Sequence, residues 1–134
     1  MFSPNGRWLA YVSNDSGKNE VYVRSFPGPG GKWPISSEGG TEPVWAPDGR
    51  ELFYRNNEKM MAVPIESTSD FSPGVPVVLF EHRTTLSPVH VPEYSVTADG
   101  RHFIMGQGSA FALTRLNVVV NWADELKRLV PTDN

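Results

Sequence analysis

Short apolar runs of strand length, separated by clusters of Gly, Pro, Asn and Asp, recur along the chain. Three segments can be superimposed, because in each a bulky apolar residue precedes a polar turn and a run of aromatic and large aliphatic residues follows it. These segments span residues 2–11, 45–54 and 96–105. The pattern predicts a strand, a tight turn and a second strand in each of them.

The turn between the two strands has nearly the same sequence in all three segments. Its residues are Asn5, Gly6 and Arg7, then Asp48, Gly49 and Arg50, then Asp99, Gly100 and Arg101. Asn-Gly and Asp-Gly are the pairs that best adopt the positive φ values of hairpin turns. Because the acids recur at equivalent positions, a role in the turn is favoured over acid–base catalysis. We expect the arginines to pair with acids or to cover aromatic faces.

The spacing of the three turns is that of a repeat architecture. The glycines Gly6, Gly49 and Gly100 are 43 and 51 residues apart, which is close to the period of a four-stranded propeller blade. The sequence therefore predicts an all-β fold of about three four-stranded antiparallel propeller blades, followed by a short C-terminal helix.

Residues 1–134 are interpreted as one partial β-propeller in which the first and last blades are incomplete. Blade 1 spans about 2–37, blade 2 about 41–81 and blade 3 about 92–120. Blade 1 lacks most of its first strand, of which Phe2 remains, and blade 3 lacks its fourth strand. Residues 71–74 look like a further copy of the turn, but they follow Gly49 too closely and are predicted to lie in a loop.

The segment at about 121–130 is predicted to form the C-terminal helix. Asn121 can cap its N-terminus, and acids near that end and bases near the other end suit the helix dipole. Four apolar residues at helical spacing form one stripe, namely Trp122, Leu126, Leu129 and Val130. We expect this stripe to pack on the chain's own blades, with packing on a partner as the alternative.

The repeated turns resemble those of TolB-like and WD-repeat-like bacterial β-propellers, in which a Phe-Ser-Pro-Asp-Gly-Arg turn joins the inner strands of each blade. The resemblance covers most of residues 2–106. The stretch 116–131 is similar to the C-terminal end of propellers attached to bacterial serine/threonine kinases or winged-helix regulators. The resemblance implies a six- or seven-bladed ring that serves as a protein-binding or sensor platform, in a periplasmic or extracytoplasmic parent protein. This chain has about half of that number of blades.

An arc of three blades would expose unpaired backbone and an apolar blade face at each end. Two arcs related by a two-fold axis would form a closed six-blade ring, and closed symmetric dimers are the commonest oligomers. The sequence therefore predicts a homo-oligomer, with a dimer of arcs as the favoured form. The candidate subunit or partner contacts are Phe2, Val118, Trp122 and Leu126.

Composition and charge narrow the classes of partner. The formal net charge of -3 comes from interspersed acids and bases without a basic stripe, which disfavours nucleic acid as a partner. No apolar window approaches the length of a membrane span, and the N-terminus lacks the basic and apolar regions of a signal peptide. We expect a soluble chain without membrane insertion, and its compartment stays open.

No sequence motif indicates a catalytic, cofactor or metal site. The histidines His82, His90 and His102 lack metal-binding spacing, and the chain has no cysteine. No serine lies in a Gly-x-Ser-x-Gly motif, and the glycine-rich segment 28–32 lacks the ending of a P-loop. We expect the loop at 26–31 to be a spacer, with a flexible binding loop as the alternative. The sequence predicts no enzyme, no cofactor and no metal.

These observations favour a non-enzymatic scaffold that presents its loops to another protein or peptide. An alternative is the propeller accessory or sensor segment of a larger enzyme, such as a serine/threonine kinase or a prolyl-peptidase-like hydrolase. A third interpretation is a truncated product with no separate activity.

Overall fold

The computed structural model describes residues 1–67, 70–82, 92–109, 112–120 and 128. Within this part of the chain the secondary structure consists of eleven strands, β1 (Trp8–Ser13), β2 (Glu20–Ser25), β3 (Lys32–Pro34), β4 (Thr41–Trp45), β5 (Glu51–Asn56), β6 (Lys59–Ser67), β7 (Phe71–Pro73), β8 (Val77–Glu81), β9 (Tyr94–Val96), β10 (His102–Ser109) and β11 (Ala112–Val120). The prediction of an all-β fold is therefore confirmed. The helix predicted at about 121–130 lies outside the described residues, apart from Arg128.

The strands form three antiparallel sheets that follow one another along the chain. Sheet 1 has the order β1-β2-β3, and sheet 3 has the order β9-β10-β11. Sheet 2 has the order β4-β5-β6-β7, and β8 also pairs with β6. The long strand β6 pairs with both β7 and β8. Its first half pairs with β8, and its last three residues pair with β7. The predicted antiparallel pairing is therefore confirmed.

One local prediction was wrong, because residues 71–73 form the short strand β7 and not a loop. They pair with Ile65–Ser67 at the end of β6. The ring of Phe71 is buried and lies 5.1 Å from Trp8 and 5.0 Å from Trp33, measured between ring centroids. The prolines and the glycine near Phe71 indicate an irregular segment. Burial of the Phe71 ring nevertheless holds this segment in place as a strand.

The three predicted strand–turn–strand segments have the same backbone register. The residue before each turn pairs with the residue seven positions later, as Phe2 with Leu9, Trp45 with Leu52 and Val96 with Phe103. Between them the chain reverses through Gly6, Gly49 and Gly100, whose φ values are 70°, 74° and 67°. Such values are strained for residues with a Cβ, which explains why glycine recurs at this position.

The core of the protein lies on both faces of sheet 2. Because side chains alternate along a strand, Leu52 and Tyr54 of β5 point to one face and Phe53 points to the other. Leu52 and Tyr54 belong to a cluster with Trp8, Ala10, Val21 and Val23 of sheet 1. Phe53 belongs to a second cluster with Tyr94, Phe103 and Met105 of sheet 3. Sheet 2 therefore contacts sheet 1 through one face and sheet 3 through the other.

The two contacts between sheets use equivalent faces. We call the face of sheet 2 that carries Leu52 and Tyr54 its leading face, and the face that carries Phe53 its trailing face. At the aligned positions, Phe103 and Met105 form the leading face of sheet 3, which packs on the trailing face of sheet 2. The trailing faces of sheets 1 and 3 are defined in the same way. Each contact therefore joins the trailing face of one sheet to the leading face of the next.

Replacement of Phe53 by alanine tests the importance of the second contact. Phe53 is fully buried, and its ring packs edge-to-face on Phe103 at a centroid distance of 4.9 Å. We expect Phe53→Ala to lower the free energy of unfolding by about 3–5 kcal/mol in chemical denaturation. The control Val78→Ala, at a residue whose side chain is 40% exposed, should cost less than about 1 kcal/mol. Equal losses in the two variants would contradict this packing.

Candidate functional site

The first Asn-Gly-Arg turn is held by hydrogen bonds that its own side chains make. Gly6 N donates to the Ser3 carbonyl at 2.9 Å, and Arg7 N donates to Asn5 Oδ1 at 3.0 Å. The Ser3 hydroxyl donates to Asn5 Oδ1 at 2.8 Å and accepts from Trp8 N at 3.0 Å. The hydroxyl of Ser3 and the side-chain oxygen of Asn5 are therefore engaged within the turn.

The two Asp-Gly-Arg turns repeat the hydrogen bond from the arginine N–H to the side chain two residues earlier. Arg50 N donates to Asp48 Oδ1 at 3.0 Å, and Arg101 N donates to Asp99 Oδ1 at 3.0 Å. Hydrogen bonds from the Thr97 hydroxyl and from Arg101 N lower the pKa of Asp99. Among the residues of these turns only the glycines have positive φ. Asn and Asp contribute through the side-chain bond to the second following N–H, a pattern known as an Asx-turn, and not through positive φ.

The arginines of the three turns are all exposed, and Arg7 also contacts an aromatic ring. The guanidinium carbon of Arg7 lies 5.4 Å from the centroid of the Trp8 ring, within the range of a cation–π contact. Arg50 and Arg101 are exposed.

Ala46 departs from the pattern of the other two turns, and this difference gives a stability test. Thr97 occupies the equivalent position in the third turn, where its hydroxyl accepts from His102 N at 3.1 Å and donates to Asp99 Oδ1 at 2.5 Å. Ala46 has no hydroxyl to accept from Glu51 N or to donate to Asp48. We expect Ala46→Ser to raise the free energy of unfolding by about 0.5–1 kcal/mol, measured by urea denaturation. In a protein that also carries Asp48→Ala, the same substitution should raise the free energy of unfolding by less, because the new hydroxyl has lost its acceptor. Equal gains with and without Asp48→Ala would contradict the predicted bond to Asp48.

Glu51 follows the second turn and is partly buried. Burial and the neighbouring Asp48 carboxylate raise the pKa of Glu51 to about 7, although Arg50 acts in the opposite direction. The aligned positions in the other two turns carry Trp8 and His102. Glu51 is thus an acid that is protonated in the folded protein over a pH range in which an exposed glutamate is ionised.

The titration of Glu51 predicts a pH dependence of stability. The unfolded chain releases this proton near pH 4.5, whereas the folded protein retains it to about pH 7. The free energy of unfolding should therefore fall between pH 4.5 and pH 7, by about 1 kcal/mol after allowance for solvent screening. Denaturation curves across this range should show the decrease in the wild type and in the exposed control Glu66→Gln. Persistence of the full decrease in Glu51→Gln would refute the assignment.

The leading face of sheet 1 and the trailing face of sheet 3 are candidate contact surfaces. On the leading face of sheet 1, the rings of Tyr11 and Tyr22 lie 5.9 Å apart, and Lys32 Nζ lies 4.2 Å from the centroid of Tyr22. On the trailing face of sheet 3, Val118 and Val120 are 55% and 52% exposed. Both faces combine apolar area with solvent exposure.

The four contact residues predicted from the sequence have different outcomes. Phe2 is half-exposed and packs edge-to-face on Phe26 at 4.8 Å. Val118 is exposed and pairs with Ile104 of β10. Trp122 and Leu126 lie outside the described residues. The structure therefore places Phe2 at the start of sheet 1 and Val118 on the outer face of sheet 3.

A polar cavity of 390 Å³ lies at the end of sheets 1 and 2 opposite the Asn-Gly-Arg and Asp-Gly-Arg turns. Its lining includes the carboxylate residue Glu42 and the guanidinium residue Arg55, both of which are buried. Glu42 has a φ of 56°, and the β4–β5 pairing is irregular between Thr41 and Val44. Neither Arg55 nor Glu42 was identified as a site residue from the sequence. The only signal in the sequence is that Arg55 interrupts the end of an apolar run.

The two histidines in the described part of the chain, His82 and His102, have different surroundings. Burial and the nearby Arg55 charge lower the pKa of His82, and His102 Nδ1 lies 3.8 Å from Asp99 Oδ1. His90 lies outside the described residues. In the described part of the chain, no three His, Cys, Asp or Glu side chains are grouped as a metal site would require. The same part contains no helix long and apolar enough to cross a membrane.

Comparison of this chain with protein-family models and with curated proteins produced no match.

Proposed function

We propose that this chain is a three-blade segment of a β-propeller that acts as a non-enzymatic scaffold for protein–protein interaction. In this proposal, sheets 1, 2 and 3 are successive blades. The two outermost faces are covered by further blades, which a second copy of the chain supplies. The scaffold would present its loops to a protein or peptide partner.

The observation that carries the proposal is the repeated contact between a trailing face and a leading face. At the first contact, the cross-strand pair Ala10 and Val23 of sheet 1 faces sheet 2. The aligned pair on the outer face of sheet 3 is Ile104 and Val118. Sheet 3 thus carries β-branched apolar side chains at the positions through which sheet 1 packs on its neighbour.

The leading face of sheet 1 supplies the complementary surface. Its cross-strand pair Tyr11 and Tyr22 is aligned with Tyr54 and Met61, the pair through which sheet 2 packs on sheet 1. Large apolar side chains therefore occupy the same positions on both leading faces. Sheet 3 of one copy can accordingly pack on sheet 1 of another copy by the contact already used twice within the chain.

This contact joins two different faces, so it is heterologous. Heterologous contacts produce a closed ring when the rotation between copies closes and an open filament when it does not. Two copies would contribute six sheets, and each copy would cover both outer faces of the other. A two-fold dimer is therefore the smallest assembly in which no leading or trailing face stays exposed.

A second candidate function is the accessory or sensor propeller of a larger enzyme, such as a serine/threonine kinase or a prolyl-peptidase-like hydrolase. The exposed leading face of sheet 1 and trailing face of sheet 3 support this candidate as well as the first. Further sheets of one longer polypeptide would pack on them in the same way. In that case the outer faces would be covered without a second copy of this chain.

Introduction of a lysine at Val118 tests ring closure. Sedimentation equilibrium of the wild type should give a dimer at micromolar concentration, and Val118→Lys should weaken the dimer at least tenfold because it places a charge in the apolar contact. The control Val75→Lys, at a loop residue that is 79% exposed, should leave the dimer unchanged. A folded wild-type monomer at these concentrations would reject the dimer and favour the second candidate.

A further inference from the structure

Two polar cavities adjoin at the end of the sheets opposite the repeated turns. The first, of 390 Å³, lies between sheets 1 and 2 and includes Arg55. The second has a volume of 430 Å³, and the two share Glu38, Asn56 and Asn57 in their linings. Cavities of this size accommodate ligands as large as an amino acid or a short peptide end. The two cavities lie apart from the outer sheet faces that the proposed ring would cover.

Arg55 provides a buried positive charge at the first cavity. Its side chain is only 2% exposed, and Nη2 donates to the backbone carbonyls of Asn57 at 3.0 Å and His82 at 3.2 Å. Its Nε has no hydrogen-bond partner in the described part of the chain. This Nε is enclosed by the protein, whereas the residue as a whole belongs to the lining of the cavity, and carboxylates match the donor geometry of a guanidinium.

One residue in the lining of the first cavity has a strained backbone. Glu42 is held at a φ of 56° while its Oε2 accepts from Glu93 N at 3.1 Å. Strained backbone of this kind persists where the surrounding structure enforces it, and it is frequent at binding sites.

The charges of the two cavities are distributed unequally. The lining of the first combines Lys18 and Arg55 with Glu38 and Glu42. The second includes Lys59 among three acids, Glu38, Glu58 and Glu81. A simple anion near Arg55 would be repelled by these carboxylates, whereas a ligand that also carries a positive group would be attracted at both cavities.

We propose that the two cavities together bind a ligand that carries both a carboxylate and a cationic side chain, as a basic amino acid does. The carboxylate is bound at Arg55, and the cation is bound near Glu38 and Glu81. Two sources share this chemistry, namely a free basic amino acid and the C-terminal residue of a peptide.

Titration of the labelled protein by heteronuclear NMR tests this site. The probes are the peptide Gly-Gly-Lys with a free carboxylate, its C-terminal amide, the peptide Gly-Gly-Glu and free lysine. Gly-Gly-Lys should shift the Gly39 and Gly40 amides and the Arg55 Nε–H saturably. The amide and Gly-Gly-Glu should each bind at least tenfold more weakly. Tighter binding of Gly-Gly-Lys than of free lysine assigns the peptide source, and the reverse order assigns the free amino acid.

Two variants separate this site from general electrostatic attraction. Glu81→Gln removes an exposed carboxylate of the second cavity and should weaken binding of Gly-Gly-Lys about threefold to tenfold. Glu66→Gln removes an exposed carboxylate outside both cavities and should leave binding unchanged. The absence of shifts at about 10 mM peptide, equal binding of the amide, or equal effects of the two variants would overturn the proposal.

Discussion

Burial of both faces of sheet 2 is the interaction on which the rest of the structure depends. Leu52 and Tyr54 contact sheet 1, and Phe53, between them in sequence, contacts sheet 3. A strand with two buried faces must be apolar at successive positions, and β5 satisfies this requirement with three such residues in a row. Sheets 1 and 3 are positioned through this strand and its neighbours, so the described residues form a stack of sheets in chain order.

The repeated turns give each sheet the same starting geometry. The shared register places aligned residues on equivalent faces, and this is why Tyr54 of sheet 2 and Met105 of sheet 3 both point toward the preceding sheet. A shift of one residue in any turn would move its following strand's apolar side chains to the opposite face. The hydrogen bonds that Asn5, Asp48 and Asp99 accept from the second following N–H help to fix this register. The turns therefore serve the packing of the sheets.

The opposite end of the sheets has a different chemical character. Glu20 is buried there and accepts hydrogen bonds from the Ser36 hydroxyl and from Gly39 N, which fixes the loop between sheets 1 and 2. The buried hydroxyl of Tyr94 donates to the Glu42 carbonyl at 2.8 Å and joins sheet 3 to the same region. Buried polar groups of this kind are stable only when they are bonded. One end of the stack is thus closed by repeated turns, and the other contains buried charges and cavities.

The sequence by itself determined the three strand–turn–strand segments, because apolar runs and the Gly-containing turns are local signals. It also indicated Phe2 as the remnant of a strand, which pairs with Leu9. It did not indicate β7, since Phe71 becomes part of a strand only through its contacts with Trp8 and Trp33. It assigned positive φ to Asn-Gly and Asp-Gly pairs, whereas only the glycines adopt it.

The tertiary structure alone decided which polar residues are buried together. Glu42 and Arg55 are separated in sequence, and both are buried in contact with distant segments: Glu42 with Glu93 and Tyr94, and Arg55 with His82. The raised pKa of Glu51 likewise depends on burial, which no local pattern around the Asp-Gly-Arg turn encodes. Local chemistry specified where the chain turns, and packing of distant segments specified which charges lose contact with water.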